Sequence, residues 1–195
     1  SFRAITAEEE AATALMLAIR LRRYRQAKEF NPRSHQHKAA VLACVGAIAS
    51  TMISVLQEFQ IVFDFDRKRI DVKVPLSNFG VRGVEDLAIQ FVEPLDLVYS
   101  KPGREEANPF ADALAKLAEK ASFDNIKKMV STQANARNTL LYASDSELPK
   151  SKATLESIAN RKHKALTLLV LAVMVLQSPK HLALVRDSIP AFLSI

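Results

Sequence analysis

The apolar positions of this chain follow a helical period over most of its length and switch to a strand period between Gln60 and Pro75. Ala11, Leu15, Ala18 and Ile19 recur at helical spacing in a first segment that runs to about Lys28, where Asn31-Pro32 interrupts it. Thr6-Ala7-Glu8-Glu9 has the form of a capping box, in which Thr6 accepts from the N–H of Glu9 and Glu9 reaches back to the N–H of Thr6. The first helix is therefore predicted to start there. Asn31 as N-cap, with Pro32 at the first helical position, opens a second helix whose stripe comprises Val41, Val45, Ile48, Met52, Leu56 and Phe59. The short connection predicts an antiparallel pair.

From Gln60 the period is two. Ile61, Phe63 and Phe65 alternate with Val62 and Asp64, and Ile70, Val72 and Val74 with Asp71 and Lys73, which predicts a hairpin turning near Asp66 to Arg69. A two-stranded ribbon is marginal by itself, so one face must lie on the helices or on another chain. Gly80, Gly83, Pro94, Pro102 and Gly103 predict an irregular stretch over 76–107, with a short helix or strand near Val84 to Val92. Asn108-Pro109 begins a helix to about Lys120, and Ser122 or Asp124 opens another to about Tyr142. After a loop at Ser144 to Pro149, a long helix covers Lys152 to Gln177. Ser178-Pro179 then starts a last short helix that Pro190 ends. The expected fold is mainly α: a helical bundle with one inserted β-hairpin, one domain over 1–195 with 60–107 as the insertion.

Composition agrees with that class. With 49% hydrophobic and 25% charged residues the chain can bury a core, and 4 Gly with 8 Pro favour long helices over a many-turned β-fold. The longest apolar run, Ala165 to Leu176, falls short of the roughly 20 residues that span a bilayer and reads as a core helix, so no membrane partner is expected. Cys44 is the single cysteine and lies in an apolar run with no neighbour to stabilise a thiolate, which predicts a buried, inert thiol in a reducing, cytoplasmic setting. Ser1-Phe2-Arg3 has no signal-peptide character and reads as the start of an excerpt. The net charge of +6 fits an anionic partner such as RNA. Arg20, Arg22, Arg23, Arg25 and Lys28 cluster at the end of the first helix, where cations also complement the helix dipole.

Two further groups of residues suggest chemistry. Arg33, His35, His37 and Lys38 stand near a helix N-terminus, where positive groups and free N–H donors suit phosphate. His35 and His37 are two apart and point to different helix faces, which argues against joint metal ligation. The second group is Arg137-Asn138-Thr139-Leu140-Leu141-Tyr142, just before the Asp/Ser loop. Together with the Glu- and Ala-rich first helix and His35-Gln36-His37-Lys38, it resembles the HEPN superfamily, particularly abortive-infection proteins of the AbiV type, over the helical parts at both ends of the chain.

That resemblance implies a bacterial defence or toxin–antitoxin protein, a homodimer whose paired helices form an RNA cleft, and metal-free RNA cleavage. It would make Arg137 the motif arginine, Asn138 its polar follower, and Tyr142 the occupant of the histidine position. The tyrosine is a departure, because a phenol with an ordinary pKa of about 10 is poorly matched to acid–base work near neutrality. Arg137 could still pair with phosphate. It could equally cap a helix end or pair with Asp145 while Tyr142 packs its ring. Glu8, Glu9 and Glu10 are accounted for by helix capping and the dipole. With no glycine-rich phosphate loop, zinc spacing or nucleophile elbow, no metal or cofactor is expected. The alternative function is a non-catalytic module that binds a protein partner, or a second copy, through the hairpin or the last helices.

Overall fold

The computed structural model describes residues 2–80, 83, 87–91, 93–96, 110–141 and 154–195. Among them the mainly α class is found, as six α-helices and a small antiparallel sheet. In chain order these are α1 (Phe2–Leu21), α2 (His35–Leu56), β1 (Gln60–Asp64), β2 (Arg69–Pro75), β3 (Ala88–Phe91), α3 (Ala111–Lys120), α4 (Ile126–Leu141), α5 (Leu155–Gln177) and α6 (Ala183–Leu193). All six helices contribute to one core, in which Met16 and Leu168 are fully buried. A smaller cluster of Val72 and Val74, with Met52, Phe59 and Phe91 against it, seats the sheet on the end of α2. No helix among the described residues is long and apolar enough to cross a membrane.

The main partner of α1 is α5, not the neighbouring α2. The face of α5 that this contact buries is read from Ala165, Leu168, Ala172 and Val175, spaced three and four apart. The two helices run parallel. Near their starts Glu8 pairs with Arg161. Just beyond their ends the Tyr24 hydroxyl accepts from the N–H of Leu182 at 2.9 Å, and His181 Nε2 donates to the carbonyl of Arg22 at 2.7 Å. The His181 ring also stacks on Tyr24, with centroids 4.3 Å apart.

That anchorage explains why α1 stops at Leu21 instead of continuing to Lys28. The N–H of Tyr24 bonds the carbonyl of Ile19 and the N–H of Arg23 that of Arg20, which is a Schellman closure. Its left-handed position, φ 56°, is held by Arg23 where glycine is usual. Ser122, at φ 60°, closes α3 in the same way, with Phe123 N–H on the Ala118 carbonyl and Ser122 N–H on that of Glu119. Ser122 therefore ends α3 and does not open α4. Asn125 opens α4, its Oδ1 accepting from Lys128 N–H at 2.9 Å.

Other boundaries also differ from expectation. The N-cap of α2 is Ser34, whose Oγ accepts from His37 N–H, while Asn31 turns the chain ahead of it by accepting from Arg33 N–H at 3.0 Å. Thr154 caps α5. Pro190 lies inside α6, where the N–H of Ser194 still reaches its carbonyl and burial of Ala191 and Phe192 holds the last turn down. The hairpin turns at 65–68 with Asp64 opposite Arg69. It is not an isolated ribbon, because β3 pairs with the far side of β2 and makes a sheet of order β1-β2-β3. Among the described residues, β1 is the strand of the hairpin left at an edge.

Two measurements test this packing. Arg23→Gly should raise the unfolding free energy by about 0.5–1 kcal/mol, since it removes left-handed strain at an exposed turn. Leu168→Ala should lower it by about 3 kcal/mol through the cavity it leaves. Both are read from urea unfolding curves, and no gain from the glycine would count against strain at position 23.

Candidate functional site between α1, α2 and α5

Glu8 and Glu9 are both buried, contrary to the capping role expected of them. Because α1 begins at Phe2, the two glutamates stand beyond its first turn, where no capping group is needed. A rotation of about 100° per residue sends neighbouring side chains to different elements. Glu8 faces α5, where its Oε2 accepts from Arg161 Nη1. Glu9 faces α2, where its Oε1 lies 2.8 Å from His35 Nδ1. The sequence carried one sign of this burial: Ile5, Glu8, Ala12, Leu15 and Ile19 fall at helical spacing, so Glu8 continues the core stripe.

Burial pushes the Glu8 carboxyl above its ordinary value, and outweighs the opposing pull of the Arg161 guanidinium and the Lys164 ammonium. At Glu9 the geometry assigns the proton. A carboxylate only accepts, so with Glu9 ionised His35 Nδ1 is the donor, and in the neutral ring Nε2 would be the acceptor. The Glu9 side chain is 9% exposed and that of His35 is 34% exposed. A fixed acid thus orients an imidazole that solvent can reach, which is the relation that prepares a histidine as a general base. Lys38 follows one turn along α2 on the same side and is buried.

The remaining residues expected near this helix start are dispersed. His37 turns away from His35, as their spacing required. Its Nδ1 accepts from Asn31 N–H at 3.1 Å, and its ring meets Phe192 edge-on. There it borders a cavity of about 340 Å³ that the start of α4 also lines, through Lys127 and Ser131. Arg33 is exposed in the turn before α2. Arg137 and Asn138 belong to the last turns of α4, and their side chains, like the whole of Tyr142, lie outside the described residues. At 1.5 Å per residue, Arg137 stands roughly 9–15 Å further along α4 than the turns beside His37.

No family model, no curated protein and no solved structure matches this chain. Its chemistry is accordingly argued from these side chains. Among the described residues no group of three His, Cys, Asp or Glu is placed to hold a metal ion. Cys44 is buried, and burial pushes its thiol up to about 12, so it is inert at neutral pH. Arg20 in the last turn of α1, and Arg23, Arg25, Lys28 and Arg33 in the segment that leads to His35, are all exposed.

The raised Glu8 carboxyl has a consequence for stability. A carboxyl that holds its proton more tightly when folded favours the fold at low pH, and that contribution is lost as pH rises above 4.5 and through the folded value. The stability difference between wild type and Glu8→Gln should therefore shift against wild type between about pH 4 and pH 7. Urea unfolding at several pH values measures it. A pH-independent difference would mean that folding leaves the Glu8 carboxyl at its ordinary value and would overturn the upward shift.

Proposed function

We propose that this protein binds RNA and cleaves it without a metal, as its HEPN resemblance implies, with the histidine supplied by the Glu9–His35 pair and not by the Arg137–Tyr142 segment. The observation that carries the reading is the 2.8 Å bond from a buried carboxylate to the Nδ1 of a histidine that remains accessible. Imidazole meets the requirement that tyrosine does not, since it takes up and gives up protons near neutrality. The exposed basic residues from Arg20 to Arg33 support an extended phosphate backbone as the ligand.

In this reading His35 Nε2 removes the proton of a ribose 2′-hydroxyl. The 2′-oxygen attacks the adjacent phosphorus, the bond to the 5′-oxygen breaks, and that oxygen leaves with a proton from solvent. Arg33 neutralises charge on the phosphate. The products are a 2′,3′-cyclic phosphate and a 5′-hydroxyl end. RNA destruction is the activity that an abortive-infection or toxin–antitoxin setting would use. A non-catalytic interaction module is a second reading, favoured by the exposed apolar side chains of α5, Leu166, Leu169, Val173 and Leu176.

Labelled single-stranded RNA and tRNA incubated with the protein in EDTA test the proposal. His35→Ala should lower cleavage by about 10²–10⁴-fold, the usual contribution of a general base. Glu9→Gln should give a smaller loss together with a shifted pH–rate profile. Cleavage that survives in His35→Ala but vanishes in Arg137→Ala would assign the chemistry to the end of α4 and overturn the role of the Glu9–His35 pair. Absence of cleavage by wild type would leave the non-catalytic reading.

A further inference from the structure

The cavity beside His37 belongs to a different face of α2 from the Glu9–His35 pair, because two residues at about 100° each set the two rings roughly 200° apart around the helix. Three helices wall it. From α2 come His37 and Ala40, and from α4 come Lys127, Val130 and Ser131, at the three- and four-residue spacing that keeps side chains on one face. The end of α6 closes it with Phe192 and Leu193. Phe192 is buried, and its ring meets Phe30 edge-on at 4.6 Å and His37 at 5.6 Å, so this wall is fixed by the fold itself.

The lining divides by chemistry. Ala40, Val130, Phe192 and Leu193 supply an apolar floor, and the polar groups beside it are donors. The N–H of Asn31 points at His37 Nδ1, 3.1 Å away, so that nitrogen offers its lone pair and the ring's proton is on Nε2. Gln36 and Ser131 add a neutral amide and a hydroxyl. Lys127 is exposed and takes part in no ion pair among the described residues, whereas its neighbour Lys128 is held by Asp124 at 2.6 Å. Among the described residues that line the cavity none is Asp or Glu, so no carboxylate of the protein neutralises the Lys127 ammonium there.

We infer that this cavity binds a small organic carboxylate with an apolar body, of the aryl-acetate class. A volume of about 340 Å³ suits a metabolite-sized ligand and is too small for a polymer. One ammonium matches the single charge of a carboxylate. A phosphate monoester carries nearly two charges at neutral pH, and the described lining has no arginine to grip it with two parallel bonds. Lys127 and the neutral donors take the carboxylate, and the floor takes the apolar body that a bare anion lacks. The site is independent of whether the Glu9–His35 pair cleaves RNA.

Titration of the 195-residue chain with phenylacetate, followed through its backbone amide resonances, tests the assignment, with circular dichroism to verify that each variant is folded. Saturable shifts centred on His37, Ser131 and Phe192 are expected, with a Kd on the order of 1 mM for a ligand of this size. Phenylacetamide, which has the same shape without the charge, should bind about tenfold more weakly, and Lys127→Met should weaken phenylacetate by a similar factor. Lys162→Met removes the same charge from an exposed position on α5 and should leave the affinity unchanged, as should His35→Ala. Absence of saturable shifts at these residues, equal affinity for the amide, or an equal loss in Lys162→Met would overturn the inference. Inorganic phosphate displacing phenylacetate at equal concentration would overturn the preference for a carboxylate with an apolar body, and loss of binding in His35→Ala would overturn the separation of this cavity from the Glu9–His35 pair.

Discussion

The parallel contact of α1 with α5 is the constraint on which the rest of this structure depends. Helices far apart in the chain are held side by side by small and branched residues along their length and by polar fastenings at each end. At one end is the Glu8–Arg161 ion pair. At the other, Tyr24 and His181 stack and both bond to backbone. Parallel neighbours cannot be joined by a tight turn, so the chain between them must supply everything else: α2, α4 and strand β2 meet the pair, and α3 packs in turn on α2 and α4. The geometry of the site follows, because α1 stands between α5 and α2 and offers successive glutamates to each.

A buried carboxylate is a costly way to join two helices. Removing the Glu8 charge from water consumes much of what its attraction to the half-exposed Arg161 returns, and a well-packed apolar residue would stabilise as much or more. What Glu8 and Arg161 add is selectivity of register, since sliding α1 by one turn along α5 would leave a buried carboxylate and a guanidinium without partners. The same register holds Glu9 opposite the first residue of α2. His35 is thereby oriented by a carboxylate that water reaches poorly, while its own side chain stays 34% exposed. An arrangement that serves alignment and one that prepares an imidazole are, in this chain, adjacent residues of one helix turn.

The segment that links α1 to α2 has a related economy. Arg23 occupies a left-handed position that glycine would fill at lower cost, and Gln26 another at φ 62°. Tyr24 compensates by burying its ring between them. The exposed arginines and lysine of the segment gain no carboxylate partner among the described residues, so their mutual repulsion persists in the folded protein.

Helix and strand identities were legible in the residues because they depend on local periodicity: the switch from period three-to-four to period two at Gln60, the long apolar run of α5, the hairpin turn at 65–68 and the inert setting of Cys44. Helix ends were less so. Arg23 and Ser122 close helices with no glycine to mark them, and Asn31 gave its cap to Ser34, because those ends are decided by side chains such as Tyr24 that bury against distant elements. The candidate site divides along the same line. His35 and Lys38 could be singled out as residues suited to anion chemistry, and the divergence of His35 from His37 follows from helix geometry alone. Their partners could not be read. Whether a run of glutamates caps a helix start or is buried beside an arginine more than 150 residues away is a question of which helix packs on which, and only the tertiary contact of α1 with α5 answers it.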